Sequence, residues 1–416
     1  MSARKLLACW TPLVLAFLCL GVGESFAQID PSRLAPTHGG NAPDVRGGTA
    51  ATGNGVPVEH VVMTRFDPTR NGFRFENTFT NDLGGGARSD GLCGGMMYAA
   101  MDYWLGGVAI PAIDYRPAIG TELQTYLYDR QRMQITRNVD RFADMIAGIG
   151  PRADKKGYFE RGIDEATLTE IRDKIDAGTP VVLALQALDS PLGHSVLVIG
   201  YDMGRYLGDP AAFRTDVKLF VYDPNHKNII KTLSPDPSGS QRYVYVDDHT
   251  PRDPHERWLT YFADTRYTVR PPPRIETPNL GGFDGKLREL RVTITTGGDE
   301  LVGGNDDIDL IVNIAGRAPQ VFHSLNNHMR WISNYAQTVS LKLAAPAAPA
   351  SIRSFKITKT TNKTLLGVVD AWDLDGVTVY GYGGGLPPMR LLEEAGHPLI
   401  RLDAANTSYL KDARIH

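Results

Sequence analysis

The chain has 416 residues, 42% hydrophobic and 22% charged, with 44 Lys and Arg against 47 Asp and Glu and a net charge of −3. That composition excludes a wholly disordered or fibrous chain, and the near-neutral balance without a basic stripe excludes a dedicated nucleic-acid binder. The 43 glycines and 27 prolines favour turns and strands over a helical bundle.

Arg4 and Lys5 precede an apolar run, Leu6 to Leu20, and Ser25-Phe26-Ala27 places small residues at the −3 and −1 positions of a cleavage site. Residues 1–27 therefore read as a cleavable export signal, and the expected location is secreted or periplasmic. Cys9 and Cys19 leave with it. Cys93 is then alone in the mature chain and is expected to form no internal disulfide, which leaves a buried, intermolecular or reactive thiol. Residues 28–60, rich in Gly, Ala, Pro and Thr, read as a flexible arm or pro-segment.

Residues 61–270 carry helical patterns first and short apolar runs afterwards, the order of an α+β domain. Apolar residues at 96, 97, 100, 101, 104 and 105 form a helical stripe that Asp90 or Ser89 can cap. Cys93 falls in the first turn of that helix, where unsatisfied N–H groups favour a thiolate. Gly94 and Gly95 are costly in a helix and are expected to let a substrate backbone approach the thiol. Further on, Asp164 can cap a helix with Leu168, Ile171 and Ile175 on one face, ended by Gly178. Strands are expected at 180–186, 193–201 and 217–225. If the last two pair antiparallel across the loop 202–216, His194 at the start of one lies beside Asp223 at the end of the other.

A thiolate, an imidazole to carry its proton, and a carboxylate or amide to fix the ring are the parts of nucleophilic acyl transfer. Gly91-Leu92-Cys93-Gly94-Gly95-Met96, Gly193-His194-Ser195-Val196-Leu197-Val198-Ile199-Gly200-Tyr201 and Val221-Tyr222-Asp223-Pro224-Asn225 together resemble papain-fold cysteine peptidases, nearest the C39-like group of bacterial hydrolases. The resemblance covers roughly residues 75–235 and implies that Cys93 is the nucleophile, His194 the general base and acid, and Asp223 the residue that orients His194. Asn225 is the alternative third member. Family members carry a glutamine five or six positions before the cysteine for the oxyanion hole, where this chain has Arg88 and Ala87. Asn81 and Ser89 are the candidates for that missing donor. The implied reaction is amide-bond cleavage in a peptide or protein substrate. Acyl transfer or deamidation through the same thioester, and a binding protein with a decayed site, are the alternatives.

Pro271-Pro272-Pro273 opens a linker, 271–285, that separates the papain-like domain from residues 286–416. That second segment is expected to be an antiparallel β-sandwich of about eight strands. The alternating run 287–296, the turn residues that follow and the run 308–314 carry a hairpin signature. Thr295-Thr296-Gly297-Gly298-Asp299, Gly303-Gly304-Asn305-Asp306-Asp307 and Trp372-Asp373-Leu374-Asp375-Gly376-Val377-Thr378-Val379 resemble PLAT-type sandwiches, which implies contact with a lipid surface or a partner protein. Asp299, Asp306 and Asp307 are candidate Ca²⁺ ligands, although Asp/Gly turns are usually only turns. No other cofactor is expected, because HExxH, paired CxxC, GxGxxG, Walker and GxSxG motifs are all absent. His323 and His328 have a poor ligand spacing for one helical face, and His226 reads as exposed.

Overall fold

A computed structural model of the chain describes residues 61–84, 87–188, 193–246, 256–277, 279–304, 306–360 and 370–414. The export signal with Cys9 and Cys19, and the arm that follows, lie outside the described residues. Helices and antiparallel strands make the chain α+β, in two compact units. The first comprises the chain to Asp114 and Tyr126–Arg274. The second comprises Tyr115–Thr125 and Ile275–His416, so the strip 115–125 belongs to it although the sequence reading leaves that strip in the hydrolase segment. Among the described residues no helix is long and apolar enough to cross a membrane.

The first unit contains β1 (Val62–Met63), α1 (Pro68–Asn71), a short hairpin of β2 (Thr80–Gly84) and β3 (Ala87–Asp90), and α2 (Cys93–Leu105). Four helices follow: α3 (Glu122–Arg137), which belongs to this unit from Tyr126 onward, α4 (Val139–Ala147), α5 (Lys155–Gly162) and α6 (Glu165–Asp176). The strands β4 (Val181–Ala187), β5 (Gly193–Asp202), β6 (Lys218–Tyr222), β7 (Ile230–Pro235), β8 (Tyr243–Tyr245) and β9 (Arg257–Ala263) complete it. The sheet order is β1-β5-β4-β9-β8-β7-β6, and an added β5–β6 pairing closes β4 to β9 into a ring. Every residue of β4 and β5 is buried, because both faces are covered. One face joins Leu183, Leu185, Val196 and Val198 to Leu168, Ile171 and Ile175 of α6, and the other receives α2.

Asp164 caps α6 through its Oδ1, which accepts from Thr167 N at 2.7 Å, and Gly178 beyond its end has φ of 76°. The α2 cap differs from expectation. Leu92 is its N-cap and no side chain caps the helix from Asp90, whose Oδ1 instead accepts from Thr80 Oγ1 at 3.1 Å. The helix is also buried all round from Cys93 to Tyr103 rather than along one stripe. A single charged residue, Asp102, enters that interior and is met by Arg130 Nε at 2.7 Å, both side chains fully buried. Tyr126 and Tyr267 hydroxyls and the Arg270 N–H also donate to Asp102, so α2, α3 and the strand exit after β9 share one buried polar knot. The proline run does not leave the unit at once, because Tyr103 Oη donates to Pro273 O at 2.8 Å.

The second unit holds two four-stranded antiparallel sheets. One has β13 (Tyr335–Ala347), β10 (Leu287–Thr296), β15 (Trp372–Tyr382) and β16 (Met389–Leu402) in that order. The other has β12 (Gln320–Phe322), β11 (Asp307–Ile314), β14 (Ile352–Thr360) and β17 (Ser408–Asp412). One apolar core takes Leu290, Val292 and Ile294 from the first sheet and Leu310, Val312 and Ile357 from the second. The expected hairpin of 287–296 with 308–314 is therefore not formed. β10 pairs with β13 and β15, and β11 with β12 and β14. Alternation correctly sets the inward face of each strand, but it says nothing about which strand is the neighbour.

Candidate active site

Strands β5 and β6 pair antiparallel from Asp202↔Lys218 to Leu197↔Tyr222, with an irregularity between Val198 and Gly200. This register carries the start of β5 to the turn that ends β6. His194 Nε2 lies 2.9 Å from Asp223 Oδ1, with side-chain exposures of 2% and 1%. Asp223 Oδ1 also accepts the Asn225 N–H at 2.8 Å, and Oδ2 accepts the Tyr245 hydroxyl at 2.5 Å. Burial pushes the Asp223 carboxyl up, but the charge and bond of His194, the charge of His226 and the Tyr245 bond outweigh it and hold the group well below the usual carboxylate range. Asn225 Oδ1 accepts instead from Asn77 Nδ2 at 3.2 Å. The structure thus puts Asp223, rather than the alternative Asn225, against the Nε2 edge of His194.

Cys93 is the first residue of α2, free of any disulfide and fully buried, against Ile135, Phe142, Met145 and Ala184. Two amide side chains frame this helix start. Asn77 Oδ1 accepts the Leu92 N–H at 2.5 Å while the Asn77 N–H donates to Pro224 O at 3.0 Å, tying the residue before Cys93 to the residue after Asp223. On the other side, Gln134 Nε2 donates to Ser195 Oγ at 3.0 Å, and a Cβ added at Gly94 would stand 1.6 Å from Gln134 Oε1. One glutamine therefore touches the residue after Cys93 and the residue after His194. The two chain segments are brought together through Asn77 and Gln134.

Gly95 has a packing reason beyond the one expected. A Cβ at Gly95 would lie 2.0 Å from Leu127 O, and the Gly95 N–H donates to Gln131 Oε1 at 2.8 Å. Gly95 allows α2 and α3 to approach backbone to backbone, whereas Gly94 faces the end of the Gln134 side chain. Of the oxyanion candidates, Asn81 is buried and donates Nδ2 to Gly91 O at 2.9 Å, two residues before Cys93. Ser89 pairs with Asn81 in the β2–β3 hairpin, and its side chain lies outside the described residues.

Among the described residues, Asp223, His226 and Glu256 are the His/Cys/Asp/Glu group whose ligand atoms converge, within 4.8 Å of one another. His226 Nε2 is already bonded to Glu256 Oε1, and Asp223 holds His194 and Tyr245, so the group is accounted for as hydrogen-bonded pairs. Burial pushes the His226 imidazole down, but the Glu256 bond and the Asp223 charge lift it above its ordinary value. The expected calcium ligands do not form such a group. Asp299 pairs with Arg401, Asp306 stands 3.6 Å from the buried Lys359 ammonium, and Asp307 meets His328 Nδ1 at 3.0 Å. A lysine in that position supplies the positive charge a cation would bring.

Sequence reasoning missed Asn77, Gln131, Gln134, Tyr245 and the His226–Glu256 pair. Gln131 and Gln134 lie one turn apart on α3, but the burial that distinguishes them exists only in the fold.

The model of the Peptidase_C39 like family matches residues 100–232. The match takes in His194 and Asp223 and begins after Cys93. Among solved structures, the alpha toxin of Clostridium absonum is similar over 30% of this chain and 32% of its own, at 20% identity and a TM-score of 0.25. The alpha-toxin of an avian strain of Clostridium perfringens is similar over 32% and 33%, at 17% identity and a TM-score of 0.25. The chain spans about a third of the length of these structures. No curated protein matches the chain.

Proposed function

We propose that the first unit is a papain-like cysteine hydrolase, a peptidase that cleaves peptide or amide bonds with Cys93, His194 and Asp223. The observation that carries the reading is the buried His194–Asp223 bond, linked through Gln134 at Ser195 and Gly94 to the start of the helix that Cys93 opens. A C39-like match over 100–232 agrees with it. With Nε2 of His194 toward the carboxylate, Nδ1 is the ring atom that takes the Cys93 proton. The thiolate attacks the substrate carbonyl carbon, the imidazolium returns its proton to the departing amine, and water attacks the thioester to regenerate the thiol. The Cys93 N–H at the helix start serves as one oxyanion donor, with Asn81 or Ser89 as the candidate second.

The chain is proposed to be exported by its N-terminal segment, and the second unit to be a β-sandwich of PLAT type that contacts a lipid surface or a partner. Two sheets around one apolar core support the sandwich reading. One observation favours a second reading, a binding protein with the fold but no turnover: Cys93 is 0% exposed.

The test is the pH dependence of iodoacetamide alkylation of Cys93 in the purified chain, beside His194→Ala. A thiolate–imidazolium pair gives rapid alkylation well below about pH 8.5, the free-thiol value, and at least tenfold slower alkylation at pH 6 in the variant. Alkylation that follows a free thiol and ignores the variant, or that occurs only after unfolding, sinks the catalytic reading and leaves the binding protein.

A further inference from the structure

We infer that Tyr245 is a positioning residue for His194, acting through Asp223, an inference that rests on the assignment of His194 and Asp223 just made. A carboxylate has about four lone-pair directions, and an unheld one rotates about its Cβ–Cγ bond. Here Oδ1 is shared by His194 Nε2 and the Asn225 N–H, both from the β5–β6 side. The hydroxyl of Tyr245 approaches Oδ2 from β8, 22 residues further along the chain. It fixes the opposite oxygen, so the carboxylate is pinned at both ends and Oδ1 stays aimed at the imidazole.

The phenol itself is held. Tyr245 is 5% exposed and sits between β7 and β9, with its ring 4.8 Å from the Trp258 ring at 64°. Lys231 Nζ stands 4.9 Å from the centre of the Tyr245 ring, and the His226 ring meets its edge at 6.1 Å. The charged groups acting on Asp223 are therefore His194 and His226, the latter with its partner Glu256, while Lys231 lies over the Tyr245 ring, and Tyr245 is the neutral donor among them. Its bond is directional where the charges are not, which suits it to orientation.

Removing only the hydroxyl, Tyr245→Phe, leaves the ring on Trp258 and releases Oδ2. The His194 imidazolium then loses part of its oriented partner and its pKa falls. The experiment follows the ¹⁵N-histidine signals of His194 against pH in a Cys93→Ser background, so the readout does not depend on thiol reactivity. The expected result is a fall of about one pKa unit, a tenfold change in the protonation equilibrium, with loss of the slowly exchanging Nε2–H signal. Tyr261→Phe is the structural baseline, because its buried hydroxyl on β9 has no hydrogen-bond partner among the described residues. An unchanged His194 titration in Tyr245→Phe, or a shift no larger than that of Tyr261→Phe, overturns the inference. Failure of the alkylation test with a normal Tyr245→Phe shift overturns only the catalytic reading, so the two outcomes stay separate.

Discussion

Replacing Gly95 by alanine tests whether the glycines at the head of α2 serve the packing of two helices. In an open helix the change is favourable by about 1 kcal/mol. Here the new Cβ would lie 2.0 Å from Leu127 O and 3.0 Å from Gln131 N, both backbone atoms, where ordinary contact begins at 3.4 Å. The helices must part by roughly 1 Å, and the cost of such overpacking is about 1–3 kcal/mol. The parting also weakens the 2.8 Å bond from Gly95 N to Gln131, at a further cost of about 1 kcal/mol. Against the helix-propensity gain, the net loss is about 1–3 kcal/mol, read as a lower urea midpoint or a melting temperature down by about 2–4 °C per kcal/mol. Gly94→Ala differs in kind, because its Cβ meets the end of a flexible Gln134 side chain at 1.6 Å. Gln134 can swing away, releasing Ser195 beside His194, so this variant loses reactivity at Cys93 more than stability. A Gly95→Ala protein as stable as the wild type would refute the close-approach argument.

The buried ion pair offers a second test. Arg130→Met strands the Asp102 carboxylate in a site with no solvent, and the expected loss is about 3–5 kcal/mol by urea denaturation, with Arg130→Met/Asp102→Asn recovering part of it. A third test concerns acid. Asp223 has its folded pKa held below the unfolded value near 3.9, so its contribution to stability is complete above that value and lost as pH falls through the folded pKa. Wild-type stability should therefore drop more steeply than that of Asp223→Asn between pH 5 and pH 2, measured by urea midpoints across that range. Parallel acid limbs would mean that the carboxylate is not held as described.

Much of the first unit was legible because its elements are locally coded. The stretches 181–185 and 196–199 are apolar without interruption, and β5 and β6 adjoin through a single loop. That adjacency alone brings His194 to Asp223. The partners that hold the site in place come from far along the chain: Asn77 for Leu92, Gln134 for Ser195 and Tyr245 for Asp223. Each is one polar residue with no periodicity to mark it, and its role exists only after tertiary packing. Gly95 was visible but its helix partner was not, since a close approach leaves the same mark on the sequence whether the visitor is a substrate or a neighbouring helix. In the second unit the alternation of β10 and β11 was read correctly and their partners were not. A Gly/Asp-rich connection is compatible with a tight hairpin and with a crossing from one sheet to the other.

The framing of the candidate site by amides has a consequence for its chemistry. Asn77, Gln131 and Gln134 carry no charge at any ordinary pH, and their bonds to Leu92, Gly95 and Ser195 persist whatever the protonation state nearby. Ionic partners in the same places would move the helix start whenever they titrated. With amides there, the titrating groups described at the site are the thiol, His194, Asp223 and the His226–Glu256 pair beyond it. Since Asp223 stays ionised far below neutrality, it does not contribute to a pH profile taken between pH 5 and pH 9, where the thiol and the two imidazoles are the site groups of this reading. His226→Ala separates the contribution of the outer imidazole from that of His194, because the His226 side chain touches the site through its charge on Asp223 and its contact with the Tyr245 ring.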